Sequence, residues 1–122
     1  MAEPVADAQG STRVEQAPPA RFWRCRRCLA AITTDDQRLE IDGRHVHLRL
    51  NPGAFAFLFG CFQSARGATP VGAPTDEATW FPGHRWQLSM CSDCGAHLGW
   101  SFSGPSAFVG LVLERLAPPE GG

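Results

Sequence analysis

The sequence has no lysine and almost no net charge. All 11 basic residues of the 122-residue chain are arginines, so no lysine is available for modification, and with 12 acidic residues the formal net charge is −1. A nearly neutral chain lacks the basic surface that is typical of proteins that bind nucleic acids or anionic membranes. We therefore expect neither a nucleic acid nor a membrane among its partners.

The chain also lacks a long apolar run and an export signal. No stretch approaches the roughly 18 consecutive apolar residues of a membrane-spanning helix. Residues 1–20 have neither the basic start nor the apolar segment of a signal peptide, so we expect a cytoplasmic protein. Their small, polar, proline-containing composition predicts a disordered lead-in, and residues 118–122 predict a frayed C-terminus. A single domain over residues 21–117 remains.

Short alternating segments separated by turn residues predict an all-β fold. Alternation over residues 45–50 places Val46, Leu48 and Leu50 on one face of a strand, and Asp42-Gly43 before it is a typical hairpin turn. Residues 63–75 are rich in glycine, proline and alanine and predict at most one short strand near Val71. The other strands are expected near residues 21–24, 29–32, 39–41, 54–62 and 108–116.

Four of the five cysteines form two Cys-x-x-Cys pairs, Cys25 with Cys28 and Cys91 with Cys94. Without an export signal, such pairs favour a metal in a reducing compartment over disulfides. Two tight turns that each supply two thiolates can form a tetrahedral site, and thiolates favour zinc. Because four cysteine ligands leave no open position, we expect one structural Zn²⁺. A redox dithiol or free thiols are the alternatives.

The remaining chemistry-bearing residues give weaker indications. Cys61 lies in an apolar segment, which favours a buried thiol over the alternative of a catalytic nucleophile, since a nucleophile needs a base nearby and a lowered pKa. The histidines His45, His47, His84 and His97 are expected to be surface residues or packed side chains with satisfied ring nitrogens.

Three of the four tryptophans lie within residues 80–102, on both sides of the second cysteine pair. If Cys91 to Cys94 form the turn of a hairpin, paired residues have numbers that sum to 185 or 186, which sets Trp86 opposite Gly99 or Trp100. The 186 register places six residues on one face: Trp86, Leu88, Met90, Ala96, Leu98 and Trp100. The indoles could be core, or they could form an aromatic cage.

An aromatic cage binds either a quaternary ammonium ion through cation–π attraction or a small neutral ring through shape. Asp76 and Glu77, just before Trp80, could serve a cation. A neutral ligand would instead rely on backbone donors and acceptors of the loop.

Four motifs occur in a fixed order along the chain: Arg24-Cys25-x-x-Cys28, Asn51-Pro52, Trp80-Phe81-Pro82-Gly83-x-x-Trp86 and Cys91-x-x-Cys94-Gly95-x-His97-Leu98-Gly99-Trp100. Together they resemble the thalidomide-binding (CULT) domain family of cereblon, and especially its short bacterial single-domain homologues. The resemblance runs from about Phe22 to Leu116. It implies a β-tent, in which zinc pins two antiparallel sheets, and a pocket of three tryptophans that takes a cyclic imide such as glutarimide.

The resemblance also implies roles for individual residues. Trp80, Trp86 and Trp100 would form the cage and Phe102 its base, while Asn51 and Pro52 would lie at the rim. Ala78 and Thr79, just before Trp80, would also belong to the ligand site. The imide N–H would donate to the carbonyl of Ala78, and the backbone N–H of Trp80 would donate to an imide carbonyl. The family has His at Ala78, Ser at Thr79 and Tyr at His84, so we expect binding to be retained but weakened.

Natural ligands in the family are thought to include peptides that end in a cyclic imide and uridine-like compounds. We expect a non-enzymatic binding module, with no surface for a ubiquitin-ligase adaptor in this chain. The enzymatic alternative is a methionine sulfoxide reductase of the B type, which has a similar tent and two zinc-binding cysteine pairs. Its nucleophilic cysteine follows the second pair, and here no cysteine follows Cys94. The third alternative is a cage for methylated amines.

Overall fold

The computed structural model describes residues 19–120, and the predicted all-β fold is confirmed for them. The elements besides the strands are two 3₁₀ turns, Asp35–Gln37 and Leu113–Arg115, and neither is long and apolar enough to cross a membrane. The nine strands within residues 19–120 are β1 (Phe22–Cys25), β2 (Ala31–Thr34), β3 (Val46–Leu50), β4 (Ala56–Phe62), β5 (Ala68–Thr75), β6 (Arg85–Cys91), β7 (His97–Ser103), β8 (Phe108–Val112) and β9 (Leu116–Ala117).

The predicted terminal segments fall mostly outside the described residues. Of the predicted lead-in, only Pro19 and Ala20 are described, and both are exposed and outside the strands. Of the predicted frayed end, residues 121–122 lie outside the described part. The lead-in and the frayed end therefore stay predictions.

The strands form two antiparallel sheets, as the resemblance implied. The smaller sheet has the order β2-β1-β9, and the larger sheet has the order β3-β4-β8-β7-β6-β5. Strand β5 is longer than the short strand predicted near Val71, and an irregularity between Val71 and Thr75 interrupts its pairing with β6. Because β5 is an edge strand, Pro70 and Pro74 are tolerated in it.

Two clusters of buried side chains fill the interior. One lies at the cysteine pairs and joins the two sheets; its buried members are Cys25, Ile32, Phe62, Cys91, Leu98, Leu111 and Leu116. The other is largely aromatic and lies on the large sheet; its buried members are Phe59, Cys61, Phe81, Trp100, Phe102, Phe108 and Val112. The first cluster surrounds the candidate metal ligands and the second supports the tryptophans.

Strand β3 exposes its more apolar face and buries its more polar face. Val46, Leu48 and Leu50 do share a face, but Leu48 and Leu50 are 62% and 61% exposed. The opposite face carries His47, which is 2% exposed and whose ring stacks on Phe59 at 5.8 Å between centroids. The more polar face of this strand thus points inward, where Nε2 of His47 lies 3.0 Å from the carbonyl of Arg44. Its buried Nδ1 has no hydrogen-bond partner within residues 19–120, so the expectation of satisfied ring nitrogens is wrong for His47.

The predicted register of the β6–β7 hairpin is wrong. Leu88 pairs with Trp100 and Trp86 with Phe102, so the numbers of paired residues sum to 188. The hairpin turn contains more residues than the predicted Cys91–Cys94 turn, since the N–H of Cys91 donates to the carbonyl of Ala96 at 2.7 Å and closes the turn there. A bulge between Ser89 and Met90 then adds one more residue.

The observed register has the same parity as the predicted sum of 186, so Trp86, Leu88 and Trp100 still share a face, which Phe102 joins. Leu98 does not join that face as predicted. It is fully buried and packs with Cys91 in the cluster at the cysteine pairs.

Candidate metal centre and aromatic cage

The four cysteines of the two pairs come together at the junction of the sheets. Their sulfur atoms all lie within 4.8 Å of one another. The Sγ atoms of Cys25 and Cys94 are 3.7 Å apart, and those of Cys28 and Cys91 are 3.6 Å apart. Four convergent thiols at this spacing can hold one metal ion, and that ion would connect β1 to the β6–β7 hairpin.

The two cysteine turns have the same backbone geometry. The residue after each pair adopts a left-handed conformation, with φ of +67° at Leu29 and +78° at Gly95. The N–H of Leu29 donates to the carbonyl of Cys25 at 2.7 Å, and that of Gly95 donates to the carbonyl of Cys91 at 2.9 Å. Burial opposes ionisation of Cys91, but hydrogen bonds from the backbone N–H groups of Cys94 and Asp93 outweigh it and lower the pKa of Cys91 to about 7. In the other turn, a backbone hydrogen bond from Ala30 lowers the pKa of Cys28, but burial and the neighbouring cysteine thiols outweigh it and raise that pKa to about 12. The two turns therefore differ in how readily they supply a thiolate, and a metal that binds all four sulfurs has to displace the proton of Cys28.

Cys61 lies apart from this cluster. It is fully buried on β4, and burial raises the pKa of its thiol to about 12. A raised pKa disfavours the thiolate form that a nucleophile requires, and the prediction of a buried apolar thiol is confirmed.

The tryptophans line a cavity of about 450 Å³ on the large sheet. Trp86, Leu88, Trp100 and Phe102 come from the β6–β7 hairpin and share one face of it. Trp80 comes from the preceding loop and meets Trp100 nearly at right angles, with 4.8 Å between ring centroids. The complete lining is Asn51, Pro52, Glu77, Ala78, Trp80, Trp86, Leu88, His97, Trp100 and Phe102.

Hydrogen bonds to backbone carbonyls orient two of the indoles. The indole N–H of Trp80 donates to the carbonyl of Leu50 at 2.8 Å, and that of Trp86 donates to the carbonyl of Glu77 at 2.9 Å. Each bond joins a cage wall to a neighbouring loop, so the walls and the rim are positioned together. The Trp80 ring also stacks on Phe59, with 5.5 Å between centroids and 17° between planes.

The backbone beside Trp80 provides a donor and an acceptor. No hydrogen bond within residues 19–120 involves the backbone N–H of Trp80 or the carbonyl of Ala78, although the neighbouring Thr79 N–H donates to Asp76 at 3.2 Å. Ala78 has a left-handed φ of +54°, which is rare for a residue with a Cβ and costs about 1–2 kcal/mol. The loop thus keeps a strained conformation next to the cavity.

His97 forms another wall of the cavity. Its ring meets that of Trp100 edge-on, with 5.2 Å between centroids and 90° between planes. Its Nε2 lies 2.9 Å from the carbonyl of Gly99, and its Nδ1 lies 3.3 Å from a guanidinium nitrogen of Arg115. Both ring nitrogens are therefore engaged, as expected for a packed histidine.

Comparison with known proteins agrees with this geometry. No protein-family model matches the chain. The chain is 41% identical to protein cereblon of Xenopus tropicalis over 75 residues, 57% of this chain and 17% of the relative. It is 31% identical to protein cereblon of Danio rerio over 80 residues (59% and 19%), and 37% identical to that of Drosophila persimilis over 102 residues (75% and 16%).

This is a cereblon-type domain. The chain spans less than a fifth of the length of these three relatives. The comparison therefore identifies the domain, and the activity of the whole relatives does not follow for this chain.

In this cereblon-type domain, seven of the eight residues predicted for the ligand site line the cavity. Thr79 does not; its hydroxyl lies against the turn that follows, 3.3 Å from the carbonyl of Phe81. Three lining residues are absent from the predicted site: Glu77, Leu88 and His97. The strand register could have indicated Leu88, which was predicted to share a face with Trp86. His97 reaches the cavity because the bulge pairs it with Met90, and sequence alone does not reveal that bulge.

Proposed function

We propose that this domain is a non-enzymatic binding module that holds a cyclic imide of the glutarimide type in its tryptophan cage and is stabilised by one Zn²⁺. The observation that carries the proposal is that the cage lies beside two backbone groups, the carbonyl of Ala78 and the N–H of Trp80. Neither group forms a hydrogen bond within residues 19–120.

Zinc suits the four thiols in both number and spacing. A Zn–S bond is about 2.3 Å, so tetrahedral geometry places neighbouring sulfurs about 3.8 Å apart. The separations of 3.6 and 3.7 Å between two pairs of sulfurs are close to that value. With Cys25, Cys28, Cys91 and Cys94 as ligands, the zinc would have no open position, so its contribution would be structural. Such a site suits a reducing compartment, which supports a cytoplasmic location.

The chemistry of an imide matches the donor and the acceptor beside the cage. An imide presents an N–H donor next to a carbonyl acceptor, which are the complements of the Ala78 carbonyl and the Trp80 N–H. The methylene edge of a glutarimide is apolar and would lie between the indole faces. Because a buried polar atom left without a partner costs about 1–3 kcal/mol, this pairing would favour rings that keep an N–H beside a carbonyl over N-alkylated rings.

Two observations support a binding role over an enzymatic one. The four-thiolate site would leave the metal without a substrate position. Cys61 is buried with a raised pKa, and no cysteine follows Cys94, so the nucleophile of a B-type methionine sulfoxide reductase has no counterpart. The ligand in the cell would then be a molecule that carries a cyclic imide or a related ring, such as a peptide with a cyclic-imide C-terminus or a uridine-like compound.

Titration with glutarimide, followed by tryptophan fluorescence, tests the proposal. The wild-type protein should show saturable quenching, and Trp86→Ala or Trp100→Ala should abolish it. Trp23→Phe is the matched control, because Trp23 lies outside the cage, where its indole N–H donates to Asp35 at 3.0 Å. That variant should lower the signal and leave the affinity unchanged. Absence of quenching by glutarimide and other cyclic imides at millimolar concentration would contradict the proposal.

One lining residue favours a second candidate ligand, a methylated amine. Glu77 belongs to the cavity lining, and a carboxylate near aromatic rings suits a quaternary ammonium ion. Titration with tetramethylammonium beside glutarimide separates the two. Binding of the ammonium that is lost in Glu77→Gln would support the second candidate.

A further inference from the structure

Arg115 lies directly behind the cage wall. It ends the 3₁₀ turn Leu113–Arg115, and its Nη1 donates to the backbone carbonyl of His97 at 3.1 Å. The same nitrogen lies 3.3 Å from Nδ1 of His97, and the guanidinium carbon lies 5.6 Å from the centre of the Phe57 ring. No carboxylate within residues 19–120 forms a salt bridge with Arg115. The contacts of its side chain are thus with His97, which lines the cavity, and with Phe57.

The contacts with Gly99 and Arg115 together define the protonation state of His97. A guanidinium has only donors, so Nδ1 of His97 must accept and carries no proton. The proton of the neutral ring is then on Nε2, where it donates to the carbonyl of Gly99 at 2.9 Å. Burial, together with the charge of Arg115, lowers the pKa of His97 and further favours the neutral ring.

Both rings that Arg115 contacts lie edge-on to Trp100. The centroid of His97 is 5.2 Å from that of Trp100, with 90° between planes. The centroid of Phe57 is 5.1 Å from it, with 74° between planes. Trp100 itself is 8% exposed, so its orientation depends on these neighbours. One arginine side chain thus supports two of the aromatic neighbours of Trp100.

We propose that Arg115 is a positioning residue for ligand binding: it keeps Nδ1 of His97 unprotonated and, with Phe57, fixes Trp100 in the cage. The inference rests on the proposed function of the cage. His97 then presents a ring surface to the ligand while both of its nitrogens are used within the protein. Polar selection is left to the backbone groups of Ala78 and Trp80.

The test combines ¹⁵N NMR of the imidazole rings with glutarimide titration. In the wild-type protein, long-range ¹H–¹⁵N spectra should show His97 as the Nε2–H tautomer. In Arg115→Met, the Gly99 carbonyl still holds the Nε2 proton, but Nδ1 is free to take a second one. His97 should therefore become doubly protonated at a higher pH than in the wild type, and the affinity for glutarimide should fall about two- to tenfold, the value of one hydrogen bond. Arg66→Met, the same change at an exposed arginine outside the cavity lining, should alter neither readout. A merely structural role would lower stability and leave the protonation of His97 unchanged.

The protonation of His97 and the affinity separate the possible failures. A wild-type His97 with its proton on Nδ1, or an Arg115→Met protein with unchanged protonation of His97 and unchanged affinity, would overturn the inference. If the wild-type protein binds no imide, the proposed function fails, while the protonation of His97 still decides what Arg115 does to it. Should Arg115→Met not fold, Arg115→Lys keeps a charged donor and is expected to leave Nδ1 unprotonated over the same pH range as in the wild type. Protonation of Nδ1 at a higher pH in Arg115→Lys would overturn the inference.

Discussion

Replacing Cys28 by serine should destabilise the domain far more than replacing Cys61 by serine. Burial alone leads to the opposite expectation. Cys28 is exposed, whereas Cys61 is completely buried on β4. An exposed substitution ordinarily changes the free energy of unfolding by less than about 0.5 kcal/mol. A hydroxyl buried without a partner costs about 1–3 kcal/mol. Without a metal, Cys61→Ser would therefore be the more harmful change.

A metal held by four thiolates reverses that order. Structural zinc contributes on the order of 10 kcal/mol to folding, which is comparable to the whole stability of about 5–15 kcal/mol of a domain of this size. Cys28→Ser removes one of the four ligands and endangers most of that contribution. It also removes the connection between β1 and the β6–β7 hairpin, around which the buried Cys25 and Cys91 pack. We expect Cys28→Ser to be largely unfolded at 25 °C.

Metal content and thermal unfolding show whether Cys28→Ser or Cys61→Ser is the more destabilising substitution. Wild type and Cys61→Ser should each contain one zinc per chain, and Cys61→Ser should melt about 5–20 °C below wild type, at roughly 4–8 °C per kcal/mol. Cys28→Ser should contain little zinc, and a chelator should convert the wild-type circular dichroism spectrum to that of the variant. A Cys28→Ser protein that melts with the wild type, or a metal-free wild type that remains folded, would refute the reasoning.

Three further substitutions test the packing around the site. Burial lowers the pKa of His47 from 6.5, so below about pH 6.5 the unfolded chain takes up a proton that the folded chain resists. The free energy of unfolding should therefore be constant above that pH and fall below it. Between about pH 7.5 and 5.5 it should fall less in His47→Phe than in the wild type, as measured by denaturant unfolding. A Cβ on Gly99 would overlap the carbonyl oxygen of Gly110, so Gly99→Ala should cost about 3 kcal/mol or more, whereas Gly53→Ala, whose nearest contacts are 3.4 Å, should be nearly neutral in denaturant unfolding. Trp80→Phe keeps the stack on Phe59 but removes the N–H that donates to Leu50, and should weaken glutarimide binding about fivefold in a titration. Equal pH dependence with and without His47, a stable Gly99→Ala protein or an unchanged affinity in Trp80→Phe would contradict the respective prediction.

The metal site and the shared face of the tryptophans could be predicted because they depend on spacing and parity. Two Cys-x-x-Cys turns supply two thiolates each wherever the chain places them, so the ligand set follows from the sequence. Side chains alternate along a strand, so Trp86 and Trp100 remain on one face in any register of even sum. An error of two residues in the register therefore did not separate them.

The details of the hairpin could not be predicted because they depend on backbone geometry that residue types do not reveal. The left-handed Gly95 lets the turn close between Cys91 and Ala96, and the bulge at Ser89 brings His97 into the cavity. The inverted burial of β3 likewise depends on long-range packing. His47 is buried because Phe59 and Phe81 lie on its side of the strand. The role of Arg115 depends on the same kind of contact, since β8 and its 3₁₀ turn bring it to His97 from 18 residues away.

The most direct test of the central claim compares three small rings in the wild-type protein. Glutarimide and δ-valerolactam each carry an N–H next to a carbonyl, so both can pair with the Ala78 carbonyl and the Trp80 N–H. N-methylglutarimide keeps its carbonyls but has lost the donor. Recognition through these backbone groups predicts that N-methylglutarimide binds at least about tenfold more weakly than glutarimide, since an unpaired buried polar group costs about 1–3 kcal/mol, and that δ-valerolactam loses less. N-methylglutarimide that binds as tightly as glutarimide would contradict it.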